Sequence, residues 1–269
     1  MKLSFSTLGC PDWEWEKIIN EAYRLGYDGI EVRGVAGELF IPNIPQFQLQ
    51  NIELTLRRLE EKNLKIICFG TSCKFHSSVF FNESISEGKK TIDIASKAQV
   101  PYIRVFGDKI PSEVNRNEVF LMVASGIEEL VQYGIKKNVK VLLEVHGDFN
   151  TVETLSPVLS RIKGSKPGLI WDIAHSDKVY GDKFEIFYDA LKPYIIHVHI
   201  KDHIRNEGFA LCEVGKGDIP IERIIKKLKK ERYKGYLSLE WEKKWHPDLV
   251  DAGIVFPEYV KFMKKLIAS

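Results

Sequence analysis

The sequence predicts a (β/α)8 barrel, because eight short β-branched segments alternate along the chain with eight longer segments of helical pattern. The strand segments are largely apolar, as expected for a parallel sheet that helices cover. A length of 269 residues also suits one such barrel. A doubly wound open sheet is the alternative arrangement. Because no Pro-, Gly- or Ser-rich linker interrupts the alternation, we expect residues 1–269 to form a single domain.

The elements follow one another in a regular order. The predicted strands are KLSFST (2–7), GIEVRG (29–34), KIICFG (65–70), YIRVFG (102–107), KVLLEVHG (140–147), GLIWDIAH (168–175), YIIHVHIK (194–201) and YLSLEWE (236–242). The predicted helices lie near 13–25, 48–62, 84–99, 113–137, 152–163, 182–192, 219–231 and 256–267. Gly26 suits the C-terminal cap of the first helix, and Pro220 suits the first turn of the seventh. Residues 34–47 form a long predicted loop, of the kind that often carries function.

Composition and charge exclude several classes of protein. The chain is 44% hydrophobic and 28% charged with a formal net charge of +2, so it has no broad basic field for nucleic acid. Its four cysteines include no CxxC pair, which indicates a reducing compartment. We see no signal peptide and no apolar run of about 18 residues. We therefore expect a cytoplasmic protein without a membrane or nucleic-acid partner, and homo-oligomerisation stays open.

Side chains of types that can bind a metal lie near the ends of the last four predicted strands. They are Glu144, Asp172, His199 and Glu240, one on each strand. In a barrel of this type the chemistry lies where the strands end, so we expect these four side chains to meet. The alternation of side chains along the strand puts His197 on the same face as His199 but one layer deeper. His197 is therefore predicted to support the site or to pack below it.

Such a concentration of buried charge needs compensation, since unpaired buried charges are costly. A divalent cation would supply it. Three carboxylates and one imidazole form an oxygen-rich set that suits Mn²⁺, Mg²⁺ or Co²⁺, with Zn²⁺ as a further candidate. The alternative interpretation is a polar barrel mouth without metal.

The same segments resemble the xylose isomerase-like barrel superfamily of sugar isomerases and epimerases. The resemblance runs in order through LLEVHGD, WDIAHSD, HVHIKDH and GYLSLEWE, and it includes GYDGIEVRG (26–34) and VGKGDIPIERII (214–225). It covers nearly the whole chain. The ordered set of four strand ends is its most specific part, and no single motif is specific alone.

The resemblance implies roles for these residues. It implies that Glu144, Asp172, His199 and Glu240 bind the metal, and that Glu144 and Glu240 also act as the acid–base pair. His175 matches a histidine that contacts substrate oxygens in the family. Removal of a proton next to a carbonyl needs a base and a stabilised enediolate, which a cation on the substrate oxygens provides. The expected substrate is a small sugar, a sugar phosphate or a sugar-like keto compound.

The segment HIKDHIRN departs from the epimerases, which carry a Glu and then an Arg soon after the strand-seven histidine. Arg205 is the candidate to replace that arginine. The HxKD pattern is similar to inosose dehydratases, so a lyase that dehydrates a keto-cyclitol or keto-acid is the alternative. A sugar-binding protein that requires metal but has no turnover is the third. The extra ligands of the three-zinc DNA-repair branch are missing, apart from an isolated His76.

Four further side chains complete the predicted site. Lys201 is predicted to bind a phosphate or carboxylate of the substrate, although a surface lysine would have the same sequence signature. His146 either contacts substrate or orients Glu144. His76 is placed at the mouth after strand three. Glu31 faces the predicted interior, where we expect it to hold a lysine or an arginine.

Overall fold

The computed structural model describes residues 1–268 and contains a closed barrel of eight parallel strands. The barrel strands are β1 (Lys2–Ser6), β2 (Gly29–Val32), β3 (Lys65–Lys74), β4 (Tyr102–Phe106), β5 (Lys140–Glu144), β6 (Gly168–Asp172), β7 (Ile195–Ile200) and β10 (Tyr236–Leu239). Their order around the barrel is β1-β10-β7-β6-β5-β4-β3-β2. Because β1 pairs with both β2 and β10, the sheet is closed and the open-sheet alternative is wrong. The prediction of a (β/α)8 barrel is confirmed.

Helices surround this barrel. They are α1 (Trp15–Leu25), α2 (Ile52–Glu60), α3 (Ser78–Lys97), α4 (Arg116–Ile135), α5 (Val152–Arg161), α6 (Ile173–Tyr180), α7 (Phe184–Leu191), α8 (Ile221–Lys230) and α9 (Ala252–Ala268). Gly26 caps α1 in the left-handed conformation with a φ of 75°, as its position in the sequence predicts. Pro220 is the N-cap of α8. No helix within residues 1–268 is long and apolar enough to cross a membrane.

Among the differences from the sequence prediction, two shape the site. The sixth strand ends at Asp172, three residues before the predicted end, because α6 begins immediately at Ile173. A small antiparallel hairpin also follows the seventh barrel strand, formed by β8 (Asp202–Ile204) and β9 (Ala210–Cys212). Both elements lie at the C-terminal end of the barrel and shape the region where the polar side chains meet.

The apolar core has an outer and an inner part. The outer part lies between the sheet and the helices, and it includes Trp171 and Phe256 among its fully buried rings. The inner part fills the barrel with Ile67, Cys68, Leu142 and Ile170, and Tyr102, Ile196 and Tyr236 pack against it. These three come from the first or second residue of their strands, so this apolar floor closes the N-terminal end of the barrel.

The predicted loop at 34–47 is partly ordered by packing. It contains two short 3₁₀ turns, Ile41–Asn43 and Pro45–Phe47, and buries the apolar side chains of Ile41, Ile44 and Phe47. The segment therefore packs into the core, and its length by itself does not indicate a functional loop.

Candidate metal centre and active site

The structure brings together the four side chains that the strand ends were predicted to supply. Glu144 ends β5, Asp172 ends β6, His199 lies in β7, and Glu240 directly follows β10. All four are buried, and each offers a ligand atom within 4.8 Å of the others. The strand register explains this arrangement, because Asp172 pairs with His199 between β6 and β7. Three carboxylates and one imidazole thus face a common point inside the barrel.

His199 is at the centre of this cluster. Its Nδ1 atom lies 3.2 Å from Glu240 Oε2, 3.6 Å from Glu144 Oε1 and 3.9 Å from Asp172 Oδ2. Burial alone would lower the pKa of His199, but the negative charges of Glu240 and Glu31 outweigh burial and raise it well above the usual value. The carboxylates therefore favour a positive charge, on the ring or on a bound ion, beside Nδ1.

Asp172 divides its two oxygens between structure and site. Asp172 Oδ1 accepts hydrogen bonds from the backbone N–H groups of Ala174 and His175, at 2.9 and 3.0 Å, and so caps α6. Asp172 Oδ2 points to the cluster and makes no hydrogen bond within the described residues. Lys201 Nζ lies 2.8 Å from Asp172 Oδ2 and forms an ion pair with it. The aspartate is thus held in place by one oxygen and directs the other to the cluster and to the Lys201 ammonium.

Lys201 is buried beside the same carboxylates. Its ammonium lies 2.6 Å from Glu240 Oε2 and also pairs with Glu242. Burial lowers the pKa of Lys201, but the charges of Asp172 and Glu240 raise it well above the ordinary value, so this lysine stays cationic. The alternative that Lys201 is a surface lysine is wrong, since its side chain is only 3% exposed.

Arg104 is a part of the site that the sequence analysis did not identify. It projects from β4, is buried, and donates a hydrogen bond of 2.9 Å from Nη1 to Glu144 Oε2. The ion pair orients Glu144 and compensates one of the buried negative charges. An arginine at the centre of the apolar segment YIRVF is the signal that could have revealed it.

Glu31 has different partners from those expected. It does not hold a lysine or an arginine. Its carboxylate faces His197 and His199 on the opposite wall of the barrel, with Nε2 atoms at 2.9–3.1 Å from its oxygens. Burial would raise the pKa of Glu31, but the charge of His199 and the hydrogen bond from His197 hold it well below the usual range. His197 thus lies beneath the cluster, as its strand position predicts.

A cavity of about 710 Å³ opens above Lys201 at the C-terminal end of the barrel. Among the predicted residues, His146, His175 and Lys201 line it. The rings of His146 and His175 are 4.3 Å apart between centroids. Burial and the charges of Lys201 and His146 lower the pKa of His175 well below its usual value, so this imidazole is neutral. Further lining residues are Glu242, Trp245, Phe209 and His203.

Arg205 and His76 are not brought to this cavity. Arg205 donates from Nε and Nη2 to the two oxygens of Asp177 on α6, at 2.9 and 2.7 Å. His76 lies 3.8 Å from Asp108 and packs its ring against Phe80. Neither side chain is part of the cavity wall formed by the described residues. The expected substrate contacts of these two residues therefore find no support in their positions.

The donor set fits a divalent cation. Among the side chains that contact one another here, the carboxylates outnumber the permanently charged cations. The carboxylates are those of Glu31, Glu144, Asp172, Glu240 and Glu242, and the cations are Arg104 and Lys201. Two polar atoms at the centre, His199 Nδ1 and Asp172 Oδ2, are buried without hydrogen bonds. Buried polar atoms usually have partners, so both atoms are explained if they bind an ion. Carboxylate oxygens suit hard ions such as Mg²⁺ and Mn²⁺, and imidazole together with carboxylates also suits zinc, so these four side chains can hold either kind of ion.

Comparisons with known proteins agree with the barrel. A sequence model of the family described as xylose isomerase-like TIM barrel matches residues 19–265. An uncharacterized protein of Methanocaldococcus jannaschii is 28% identical over 174 residues, which make up 62% of this chain and 57% of that protein. The alignment thus spans little more than half the length of this curated relative.

Several solved structures share the fold over nearly the whole chain. The probable 3-DHS dehydratase AsbF of Bacillus anthracis, involved in petrobactin synthesis, has a TM-score of 0.79 and 19% identity, covering 98% of this chain and 99% of its own. A D-tagatose 3-epimerase-like protein has a TM-score of 0.79 and 20% identity, with coverages of 100% and 97%. The IolI protein with a bound zinc atom has a TM-score of 0.75 and 18% identity, with coverages of 99% and 96%. At these identities the likeness shows the fold alone.

Proposed function

The chain belongs to the xylose isomerase-like TIM barrel family, and on that premise we propose that it is a divalent-metal-dependent isomerase or epimerase of a sugar or sugar phosphate. One observation carries the proposal: Glu144, Asp172, His199 and Glu240 converge within 4.8 Å, beside a cavity of about 710 Å³. The solved epimerase-like protein and the zinc-containing IolI protein of the same fold support it. We propose these four residues as the metal ligands.

The bound ion would polarise a carbonyl and stabilise an adjacent enediolate. The protein's own contribution comes from Glu144 and Glu240, which stand on strands separated by β6 and β7. Arg104 pairs with Glu144 and Lys201 pairs with Glu240, so each carboxylate is held in a fixed orientation. One carboxylate can remove the proton next to the carbonyl and the other can return a proton from the second side, which gives epimerisation. A single carboxylate that serves two neighbouring carbons gives isomerisation.

The proposed substrate contacts are those of the cavity wall. His175 is neutral and His146 is adjacent, so both imidazoles can donate to or accept from sugar hydroxyls. Lys201 reaches from the cavity to the carboxylates and can donate to a substrate oxygen that lies between them. A cavity of this size accommodates a small polyhydroxylated compound.

A dehydratase is the second candidate, and the arrangement of Lys201 and Arg205 favours it. Arg205 is engaged by Asp177, so the arginine expected of an epimerase is absent from the described cavity wall. Lys201 instead supplies an ammonium beside Glu240. In this reaction a carboxylate would take the proton next to the carbonyl, and Lys201 would give a proton to the departing hydroxyl, which leaves as water. The AsbF structure has the same fold.

We also propose that the protein works in the cytoplasm. Its four cysteines are unpaired, and three of them are buried. Free thiols are typical of a reducing compartment. The proposed partner is the small substrate alone.

Deuterium incorporation tests the chemistry that both candidate enzymes share. Protein stripped by a chelator is reloaded with Mn²⁺, Mg²⁺, Co²⁺ or Zn²⁺ and incubated in D₂O with aldoses, ketoses, their phosphates and cyclic hydroxyketones. We expect NMR to detect deuterium next to the carbonyl only with metal, and loss of the signal in Glu240→Gln. The exposed Glu258→Gln is the matched control. A new conjugated chromophore would identify the dehydratase, whereas binding without exchange or water loss would contradict both enzymes.

A further inference from the structure

Glu31 is a buried carboxylate that lies outside the proposed ligand set but touches it. It is located in β2 and is 1% exposed. His199 Nε2 lies 3.1 Å from Glu31 Oε1 and 3.0 Å from Oε2, and His197 Nε2 lies 2.9 Å from Oε2. An ionised carboxylate can only accept hydrogen bonds. Both Nε2 atoms must therefore carry the hydrogens of these contacts.

This arrangement determines which nitrogen of His199 faces the carboxylate cluster. As a metal ligand His199 would have to be neutral, and a neutral imidazole with hydrogen on Nε2 has its free lone pair on Nδ1. Nδ1 is the atom that lies 3.2–3.9 Å from Glu240, Glu144 and Asp172. It is also buried and has no hydrogen-bond partner among the described residues. The contact with Glu31 thus directs the only free lone pair of the ring to the proposed ion.

A second metal site made of Glu31, His197 and His199 is the competing interpretation, since their ligand atoms also lie within 4.8 Å. The hydrogen bonding within this group disfavours it. Here the nitrogens already contact the carboxylate oxygens directly at 2.9–3.1 Å. These three side chains satisfy one another by hydrogen bonds, whereas two buried atoms of the cluster above them, His199 Nδ1 and Asp172 Oδ2, make none.

We propose that Glu31 is a positioning residue that fixes the tautomer and ring orientation of His199, so that Nδ1 binds the divalent cation. His197 completes the arrangement by donating to Glu31 Oε2 and preventing rotation of the carboxylate. The inference rests on the metal site of the proposed function. Carboxylate partners of this kind commonly change metal affinity by about 10–100-fold when they are removed.

Two substitutions of Glu31 separate position from charge. Glu31→Gln keeps the volume, but its amide N–H₂ would face one imidazole and favour hydrogen on the wrong nitrogen. Glu31→Asp keeps the negative charge and withdraws it by one methylene. A purely electrostatic role predicts nearly wild-type metal affinity for Glu31→Asp, whereas a positioning role predicts a loss in both variants. Glu87→Gln is the matched control, since Glu87 accepts a hydrogen bond from Ser72 N at 2.7 Å and contacts none of the four proposed ligands.

The test is a titration of the metal-free full chain with Co²⁺, read by calorimetry and by the visible absorption of the bound ion. We expect about 10–100-fold weaker binding and an altered Co²⁺ spectrum in both Glu31 variants, with wild-type behaviour in Glu87→Gln. Thermal melting and circular dichroism check that each variant folds, and Glu31→Asp still decides the question if Glu31→Gln does not fold.

The outcomes distinguish the two levels of the argument. Wild-type affinity and spectrum in a folded Glu31 variant would overturn the positioning role and leave the metal site intact. A wild-type protein that binds no Co²⁺ would overturn the proposed metal site and the role of Glu31 together.

Discussion

Lys201 and Glu240 form an ion pair with 2.6 Å between Nζ and Oε2, and the same oxygen lies 3.2 Å from His199 Nδ1. One carboxylate therefore serves a resident ammonium and a proposed metal position at once. Lys201 lines the cavity, whereas His199 is fully buried and does not. Lys201 is thus the side chain that connects the proposed metal site to the space for substrate.

Replacement of Lys201 should affect metal affinity and turnover in opposite directions. In Lys201→Met we expect Mn²⁺ to bind about tenfold more tightly, because a nearby like charge opposes the ion by on the order of 1 kcal/mol or more. Turnover should fall on the order of 100-fold, since a donor to the reacting oxygens is lost. Equilibrium dialysis and deuterium exchange measure the two effects. Lys226→Met, which removes an exposed lysine far from the cavity, is the control, and weaker Mn²⁺ binding in Lys201→Met would contradict the prediction.

The two oxygens of Asp172 should be separable by substitution. Asp172→Asn retains an oxygen that can cap α6, whereas Asp172→Ala removes the cap and should cost about 1 kcal/mol more in the free energy of unfolding. Both variants should lose the metal. Urea unfolding of the metal-free proteins and elemental analysis provide the two measurements. Equal stabilities would exclude a capping role, and normal metal content in Asp172→Asn would exclude Asp172 as a ligand.

The buried pair of Arg104 and Glu144 should behave as a unit. Glu144→Leu leaves the guanidinium without its partner, so we expect a loss of about 3–5 kcal/mol in the free energy of unfolding. Adding Arg104→Leu should recover much of that loss. A double-mutant cycle on the metal-free protein by urea denaturation measures the coupling. Losses that simply add would show that the ion pair is not coupled.

His175 should make stability depend on pH. Burial, together with the charges of Lys201 and His146, lowers its folded pKa well below the usual value of 6.5. Below pH 6.5 the unfolded chain binds a proton at His175 that the folded chain does not, so the stability that neutral His175 contributes at pH 7 declines as pH falls. We expect the free energy of unfolding of wild type to fall relative to that of His175→Gln from pH 7 towards pH 5 in chemical denaturation. A constant difference would show that His175 does not titrate in this way.

The eight barrel strands could be predicted because their β-branched segments are distinct from the amphipathic helices between them. Helix α6 was missed because it begins directly after β6, with no glycine or proline to mark the change. The apolar pattern of GLIWDIAH therefore predicts that the strand continues through these residues. The β8–β9 hairpin was missed because its strands have only three residues each and no apolar alternation.

The ends of the strands identified the candidate site because parallel strands in a barrel all end on the same side. The sequence could not place Arg205, because its partner Asp177 lies on the helix that was missed. The sequence also could not predict which side chains contact each other across the barrel. Glu31 lies far from His199 in sequence, and only the closure of the sheet brings them together.

The apolar floor of the barrel restricts how small molecules reach and leave the proposed site. Ile67, Cys68, Leu142 and Ile170 close the N-terminal end, so the proposed centre faces the C-terminal end, where the cavity above Lys201 opens. We expect reactant and product to use this cavity in turn. Product that has not departed therefore excludes the next reactant, and inhibition by product should be competitive.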